Sequence, residues 1–114
     1  MIRLLSYTLL AALMLNVAPI NIALAQQAID VTLSVKNNKF DPAEIEAPAN
    51  TPVRLKVKNL DPKPMEFESK ALRVEKIIPG NGEATFNIRG QKPGRYEFFD
   101  EFHEDTTRGT LVVK

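Results

Sequence analysis

Two residues near the C-terminal end of the chain have the types and spacing of a metal-binding pair. Asp100 and His103, the only histidine, lie three positions apart, and Glu101, Glu104 and Asp105 add carboxylates around the same imidazole. Neutral imidazole together with carboxylate oxygens suits borderline or hard divalent ions. The segment therefore predicts a metal site at Asp100 and His103. The alternative that these residues alone leave open is a solvated acidic loop without an ion.

The sequence pattern of the rest of the chain predicts β-strands. Apolar and polar residues alternate from Ile29 to Lys36 and again from Val53 to Val57, as in half-buried strands. Further short strand segments, separated by Asn, Pro and Gly turn signals, are predicted at 44–47, 65–68, 84–88, 96–99 and 110–113. The segment 71–78 has mixed periodicity and is left open between helix and strand. About seven short strands without an amphipathic helix predict an all-β sandwich or Greek-key barrel.

The first 25 residues have the pattern of a cleaved signal peptide. Arg3 supplies the positive charge, Leu4 to Leu15 is largely apolar, and Ala23-Leu-Ala25 is a small-x-small cleavage site. The apolar run is shorter than the roughly 20 residues that span a bilayer, which argues against the alternative of an uncleaved anchor. We therefore expect a signal peptide at 1–25 and one periplasmic domain at 26–114, without membrane insertion after cleavage.

The composition excludes several classes of function. Arg3 is the only charged residue of the signal segment, so the rest of the chain has 14 basic and 14 acidic residues and no net charge for binding nucleic acid. The chain has no cysteine, which excludes disulfides, a thiol nucleophile and a thiolate metal ligand. No phosphate-binding glycine loop is present, and a single histidine does not identify a Ser-His-Asp arrangement. There is thus no hydrolase or transferase motif.

Several segments resemble the cupredoxin family and cover most of residues 26–114. They are Val31-Thr-Leu-Ser-Val-Lys, Phe40-Asp-Pro-Ala-Glu-Ile-Glu-Ala-Pro-Ala-Asn-Thr-Pro-Val, Gly94-Arg-Tyr-Glu-Phe and Gly109-Thr-Leu-Val-Val. The resemblance implies a Greek-key β-sandwich of seven to eight strands. Asp100-x-x-His103 stands where that family has its Cys-x-x-His ligand loop, so a carboxylate replaces the thiolate, and the intense colour of thiolate copper sites is not expected.

The resemblance also implies further ligands. The run from Asn59 through Pro64 to Met65 and Glu66 is similar to the segment that supplies the family's first histidine ligand, with Met65 at the histidine position. We therefore expect a site of Asp100 and His103 that Met65, Glu66 or Glu101 completes. The family's axial methionine would fall at 106–108, where there is none. Without the resemblance, Met65 is interpreted as a core or semi-exposed apolar residue of a strand, and Glu66 as part of a solvated strand face.

More narrowly, this version of the ligand loop resembles the cupredoxin-like component of bacterial periplasmic ferrous-iron transport systems. That resemblance implies an iron or copper ion as cofactor and a role in handling or oxidising iron. It also implies a periplasmic iron-binding protein and an inner-membrane permease as partners. Accessory oxidation of ferrous iron together with a partner is left open. The alternative function is a metal-free β-sandwich that binds another protein of an envelope complex.

Overall fold

The computed structural model describes residues 11–20 and 26–114. Residues 1–10 and 21–25, with the Ala23-Leu-Ala25 cleavage site predicted above, lie outside the described residues. Residues 11–20 are exposed and have no regular secondary structure. Within the two described ranges, no helix has the length and hydropathy that crossing a bilayer would require.

The described part of the chain folds into nine strands and one 3-10 turn, which confirms the all-β prediction. The elements are β1 (Ile29–Lys36), β2 (Lys39–Asp41), β3 (Glu44–Ala47), β4 (Val53–Asn59), β5 (Met65–Ser69), β6 (Val74–Ile78), β7 (Glu83–Ile88), β8 (Gly94–Asp100), the 3-10 turn (Glu101–His103) and β9 (Arg108–Val113). One sheet has the order β2-β1-β4-β7 and the other the order β3-β9-β8-β5-β6. The sandwich has nine strands instead of the expected seven to eight, because two short edge strands are added. They are β2, which pairs with β1, and β6, which pairs with β5.

The alternation read from the sequence becomes the burial pattern of the central strands. Every second residue of β4, from Val53 to Asn59, is buried between the sheets. At the centre of the core, four phenylalanine rings pack together with centroid separations from 4.9 to 6.1 Å: Phe40, Phe67, Phe86 and Phe98. These rings come from both sheets, so their packing holds one sheet against the other.

The ambiguous segment 71–78 is a turn followed by an edge strand. The turn closes through a hydrogen bond from the Arg73 N–H to the Lys70 carbonyl oxygen at 3.3 Å. The strand β6 then buries Ile78 and leaves Glu75 to Ile77 exposed. An edge strand contacts the core at few positions, which explains why its residues lack a clean alternation.

Two loops meet at one end of the sandwich, as the family resemblance implied. The β4–β5 loop is held by the buried Asn59, whose side-chain amide donates to the carbonyl oxygens of Lys63 at 2.8 Å and Ile78 at 3.2 Å. The β8–β9 loop reaches the same end because β8 pairs with β5, with Phe67 opposite Asp100. The pairing therefore brings the residues after Asn59 beside those after Asp100.

The close approach of β9 to the core predicts a strong effect of a small substitution. A Cβ added to the buried Gly109 would overlap the Phe98 ring and lie 2.8 Å from the Ala43 carbonyl oxygen. Gly109→Ala should therefore destabilise the fold by about 1–3 kcal/mol, as overpacked cores do. Urea unfolding measures the difference.

Gly94→Ala is the matched control, because a Cβ at Gly94 meets only the Tyr96 ring, at an ordinary 3.5 Å. Equal stability changes for the two variants would contradict the packing that the structure assigns to Gly109.

Candidate metal centre

Asp100 is a buried carboxylate at the last residue of β8. It is 1% exposed, and its Oδ1 accepts hydrogen bonds from the backbone N–H groups of Glu66 and Phe102, both at 3.0 Å. Its Oδ2 lies 2.9 Å from Nδ1 of His103. These donors compensate the burial of the carboxylate, because hydrogen bonds to a charged acceptor are stronger than neutral ones. One side chain thus joins β5, β8 and the 3-10 turn.

His103 is placed by the same carboxylate. Asp100 caps the 3-10 turn by accepting from the Phe102 N–H, and the turn ends at His103. The backbone N–H of Thr107 donates to the His103 carbonyl oxygen at 2.9 Å, which closes the loop before β9. The imidazole is 32% exposed, so one side of the ring faces Asp100 and part of it stays accessible to solvent.

Met65 lies with this pair at a common cavity. The cavity has a volume of about 180 Å³ and is lined by Val35, Asn37, Asn38, Asn59, Asp61, Pro62, Lys63, Pro64, Met65, Asp100 and His103. Met65 is buried, as the core interpretation of this residue expects, and it also lines the cavity. The structure therefore brings together an imidazole nitrogen, a carboxylate and a thioether side chain.

Asp61 is a second carboxylate at this cavity that the sequence did not identify as a candidate. Its two oxygens accept from the backbone N–H groups of Asn37 at 2.7 Å and Asn38 at 3.0 Å, in the β1–β2 turn. Both asparagines have a positive φ, near 55°. Asp61 thus stabilises the left-handed turn beside the cavity, and an alternation pattern gives no signal for such a loop-to-loop contact.

The other two predicted ligands, Glu66 and Glu101, belong to a separate group. Consecutive residues of a strand point to opposite faces, so the Glu66 side chain leaves β5 on the face opposite Met65. Carboxylate oxygens of Glu66, Glu75 and Glu101 all lie within 4.8 Å of one another. Glu66 contributes its backbone N–H to Asp100, and its carboxylate lies outside the lining of the cavity. The five predicted ligands are thus divided between two places.

The acidic residues around His103 are also spread out more widely than their spacing suggested. Asp100 is the carboxylate that contacts the imidazole, while Glu104 pairs with Arg108 at 3.1 Å. Glu101 faces Glu66 and Glu68 on the neighbouring strand. Of the four carboxylates that lie close to His103 in sequence, Asp100 is the one recorded in contact with the imidazole.

The glutamate group has unusual acid–base properties. The neighbouring Glu75 carboxyl, through a shared hydrogen bond, raises the pKa of Glu66 from 4.5 to about 7, with smaller contributions from partial desolvation and from the charge of Glu101. Glu101 likewise raises the pKa of Glu68 by hydrogen bonding. Like charges this close favour a shared proton over full ionisation. Sequence reasoning missed Glu75 because only the β5–β6 register brings it to this face.

The donor set decides which kinds of metal site the cavity fits. Two ligand atoms that each lie about 2.0–2.2 Å from an ion stand roughly 3.3–3.6 Å apart at a tetrahedral angle and roughly 3 Å apart at a right angle. Nδ1 of His103 and Oδ2 of Asp100 are 2.9 Å apart, which is a hydrogen-bond distance and is close to the right-angle value. A thiolate copper centre does not fit, because the chain has no cysteine. A site with one imidazole, one carboxylate and a neighbouring thioether does fit, and it suits copper or another borderline divalent ion.

The sequence and the fold both match known proteins. The family described as "Cupredoxin-like domain" matches residues 6–113. The chain is 38% identical over 85 residues to the uncharacterized protein RP394 of Rickettsia prowazekii (strain Madrid E). The aligned residues cover 75% of this chain and 68% of that protein.

Two solved structures show the same fold at low identity. The metal-binding domain of the Cu(I)-exporting P-type ATPase CopA of Streptococcus pneumoniae, with Cu(I), has a TM-score of 0.70 and 17% identity, covering 81% of this chain and 91% of that chain. Auracyanin A, a "blue" copper protein from Chloroflexus aurantiacus, has a TM-score of 0.67 and 14% identity. The match covers 77% of this chain and 100% of the auracyanin chain. At these identities the matches establish the fold alone.

The glutamate group predicts a pH dependence that can be measured residue by residue. Since the pKa of Glu66 is raised from 4.5 to about 7, the folded protein holds a proton that the unfolded chain releases in this range. The contribution of Glu66 to stability should therefore fall as the pH rises from about 4.5 to 7. Carbon-13 NMR of the glutamate Cδ atoms should show one midpoint near neutrality.

Glu75→Gln removes the carboxyl that raises the pKa of Glu66 most, so that pKa should move toward its ordinary value. Glu46→Gln is the control, because Glu46 lies on β3 at the far edge of the same sheet, paired with Lys114. A midpoint for Glu66 that Glu75→Gln leaves in place would show that the two carboxyls do not interact.

Proposed function

The chain belongs to the cupredoxin-like domain family, and on that premise we propose that it is a metal-binding protein whose ion is held by Asp100 and His103. The observation that carries this proposal is the 2.9 Å separation of Nδ1 and Oδ2 at the rim of a cavity. Met65, buried at the same cavity, is the third ligand in this proposal. Glu66 and Glu101 are not part of it, because their carboxylates form the separate glutamate group.

The residues around the pair have distinct tasks in this proposal. Asp100 is immobilised by two backbone N–H groups on Oδ1, which leaves Oδ2 directed at His103. The partly exposed His103 gives an ion a route from solvent, and it must release the Nδ1 proton when an ion binds. When bound, the ion would supply a positive charge and, for copper or iron, a one-electron couple.

The fold relatives favour copper, since one of them is a Cu(I)-bound domain and another a blue copper protein. The donors of this chain support copper(II) through imidazole and carboxylate, and copper(I) through the thioether. The same oxygen donor favours iron, and here the proposal rests on the resemblance to periplasmic ferrous-iron transport components. We therefore propose a copper- or iron-binding protein of the periplasm that handles iron beside an iron-binding protein and a permease.

One observation favours a second candidate, a metal-free protein-binding module. Asp100 and His103 already satisfy each other by a hydrogen bond, and no buried side-chain nitrogen or oxygen in the described ranges is without a partner. The loop therefore keeps its shape without an ion. The two candidates differ in whether function depends on the ligands or only on the surface of the sandwich.

Metal binding is tested by replacing the imidazole. His103→Ala should weaken copper(II) binding at least tenfold, or about 1.4 kcal/mol, because carboxylate alone is a poorer ligand for copper(II). Met65→Leu should weaken copper(I) binding and leave copper(II) binding nearly unchanged. Titrations with copper(II), copper(I) and iron(II), followed by calorimetry or competition, measure each affinity.

Glu104→Ala is the matched control, since it removes a nearby exposed carboxylate that pairs with Arg108. The copper(II) form should lack the intense visible band of a thiolate site. Copper(II) affinity that His103→Ala leaves unchanged would favour the protein-binding module.

The role in iron handling is tested in cells. A strain that lacks the protein should grow poorly when ferrous iron is the only iron source, and the wild-type gene should restore growth. His103→Ala should fail to restore it, although the variant protein accumulates in the periplasm. Full restoration by His103→Ala would contradict a ligand-dependent role, and normal growth of the deletion strain would contradict a role in iron uptake.

A further inference from the structure

A second cavity lies at the end of the sandwich opposite the metal centre. It has a volume of about 570 Å³ and is lined by Ala71, Leu72, Arg73, Val74, Asn87, Ile88, Arg89 and Gln91. These residues come from the turn before β6 and from the end of β7, the edge strands of the two sheets. We call this space the edge cleft. Its volume is within the range of about 300–1,000 Å³ that small-molecule sites occupy.

Arg73 has a backbone conformation that is uncommon for an arginine. Five described residues other than glycine have a positive φ, and the other four are asparagines: Asn37, Asn38, Asn50 and Asn81. Asparagine is several-fold enriched in this conformation, whereas a long side chain is uncommon there. Arg73, with φ of 58°, is therefore a poor choice for the turn alone. Arg73 is also one of the residues that line the edge cleft.

The charges of the edge cleft are unbalanced. Arg73 and Arg89 both line it, and neither makes an ion pair or a side-chain hydrogen bond among the described residues, whereas Arg54, Arg95 and Arg108 each have a carboxylate partner. The residues that line the cleft thus include two arginines and no carboxylate.

The remaining lining residues suit a ligand that carries both charge and carbon. Asn87 and Gln91 add neutral side-chain amides at the rim, and the Gln91 amide is oriented by a hydrogen bond to the Arg89 carbonyl oxygen at 2.7 Å. Leu72 and Ile88 are buried and supply apolar surface. The edge cleft thus combines two arginines with side-chain amides and a small apolar surface.

We propose that the edge cleft binds a phosphate monoester through Arg73 and Arg89. A phosphate monoester carries a charge of about −1.5 to −2 at pH 7, which matches two unpaired guanidinium groups better than a single carboxylate does. Its three terminal oxygens accept the paired N–H groups of arginine in bidentate geometry. The rest of the ester, whether a small soluble alcohol or a lipid, lies on Leu72 and Ile88.

The two sources of such an ester are distinguished by two probes. Glycerol 3-phosphate, titrated at low salt and followed by the backbone NMR signals of the protein, reports a soluble ester. Sedimentation with phosphatidylcholine vesicles, with and without phosphatidic acid, reports a lipid headgroup. Binding of either probe that shifts or protects the residues of the edge cleft supports the proposal, and the probe that binds identifies the source.

Matched variants test whether the two arginines form the site. Arg73→Asn and Arg89→Gln should each weaken binding at least tenfold, and Arg73→Asn should keep the turn, because asparagine occupies the other left-handed positions. Arg95→Gln removes the same charge where the arginine is paired with Glu44, so binding should stay within about twofold if loss of net charge alone has little effect. His103→Ala should also leave binding unchanged.

Three results would overturn the proposal. The first is that neither glycerol 3-phosphate nor the phosphatidic acid vesicles bind saturably. The second is equal weakening in Arg95→Gln and the edge-cleft variants, which would mean general attraction to positive charge. The third is binding whose NMR shifts map to residues other than those of the edge cleft.

Discussion

The buried carboxylate of Asp100 is the constraint on which the end of the sandwich around the β8–β9 loop depends. A carboxylate that is 1% exposed has to be compensated, and its partners come from three places: the Glu66 N–H on β5, the Phe102 N–H of the 3-10 turn and the His103 imidazole. Each donor left unsatisfied in the interior would cost about 1–3 kcal/mol. The position of the loop, the direction of the imidazole and the pairing of β5 with β8 are therefore linked through a single side chain.

The same contact has consequences for a metal ion. Nδ1 of His103 and Oδ2 of Asp100 hydrogen-bond each other at 2.9 Å, so this contact holds the loop without an ion. An ion held by both atoms, as proposed, would have to replace this hydrogen bond. Replacing a thiolate with a carboxylate also changes the preferred ions from soft to borderline or hard ones. The cupredoxin-like fold is thus present with a carboxylate and an imidazole, and without a thiolate, at its β8–β9 loop.

Much of this organisation could be predicted from the sequence, because it depends on local properties. Alternating apolar residues predicted the central strands, and turn residues such as Asn37-Asn38 predicted where they end. The count of nine strands was missed because β2 has only three residues and the edge strand β6 buries little and shows no alternation. The absence of cysteine, read from composition alone, excluded a thiolate copper site. The spacing of Asp100 and His103 identified the pair that the structure places in contact at 2.9 Å.

Only the tertiary structure decided which of the other candidates share a site, because strand register and pleat determine which face a side chain occupies. Met65 and Glu66 are adjacent in sequence, yet one is buried at the cavity of Asp100 and the other joins Glu75 and Glu101 on the opposite face. Glu75 and the edge-cleft arginines gave no sequence signal, since their neighbours come from other strands whose pairing and register the sequence does not show. The residues thus determined which chemistry is available, and long-range pairing determined where it is assembled.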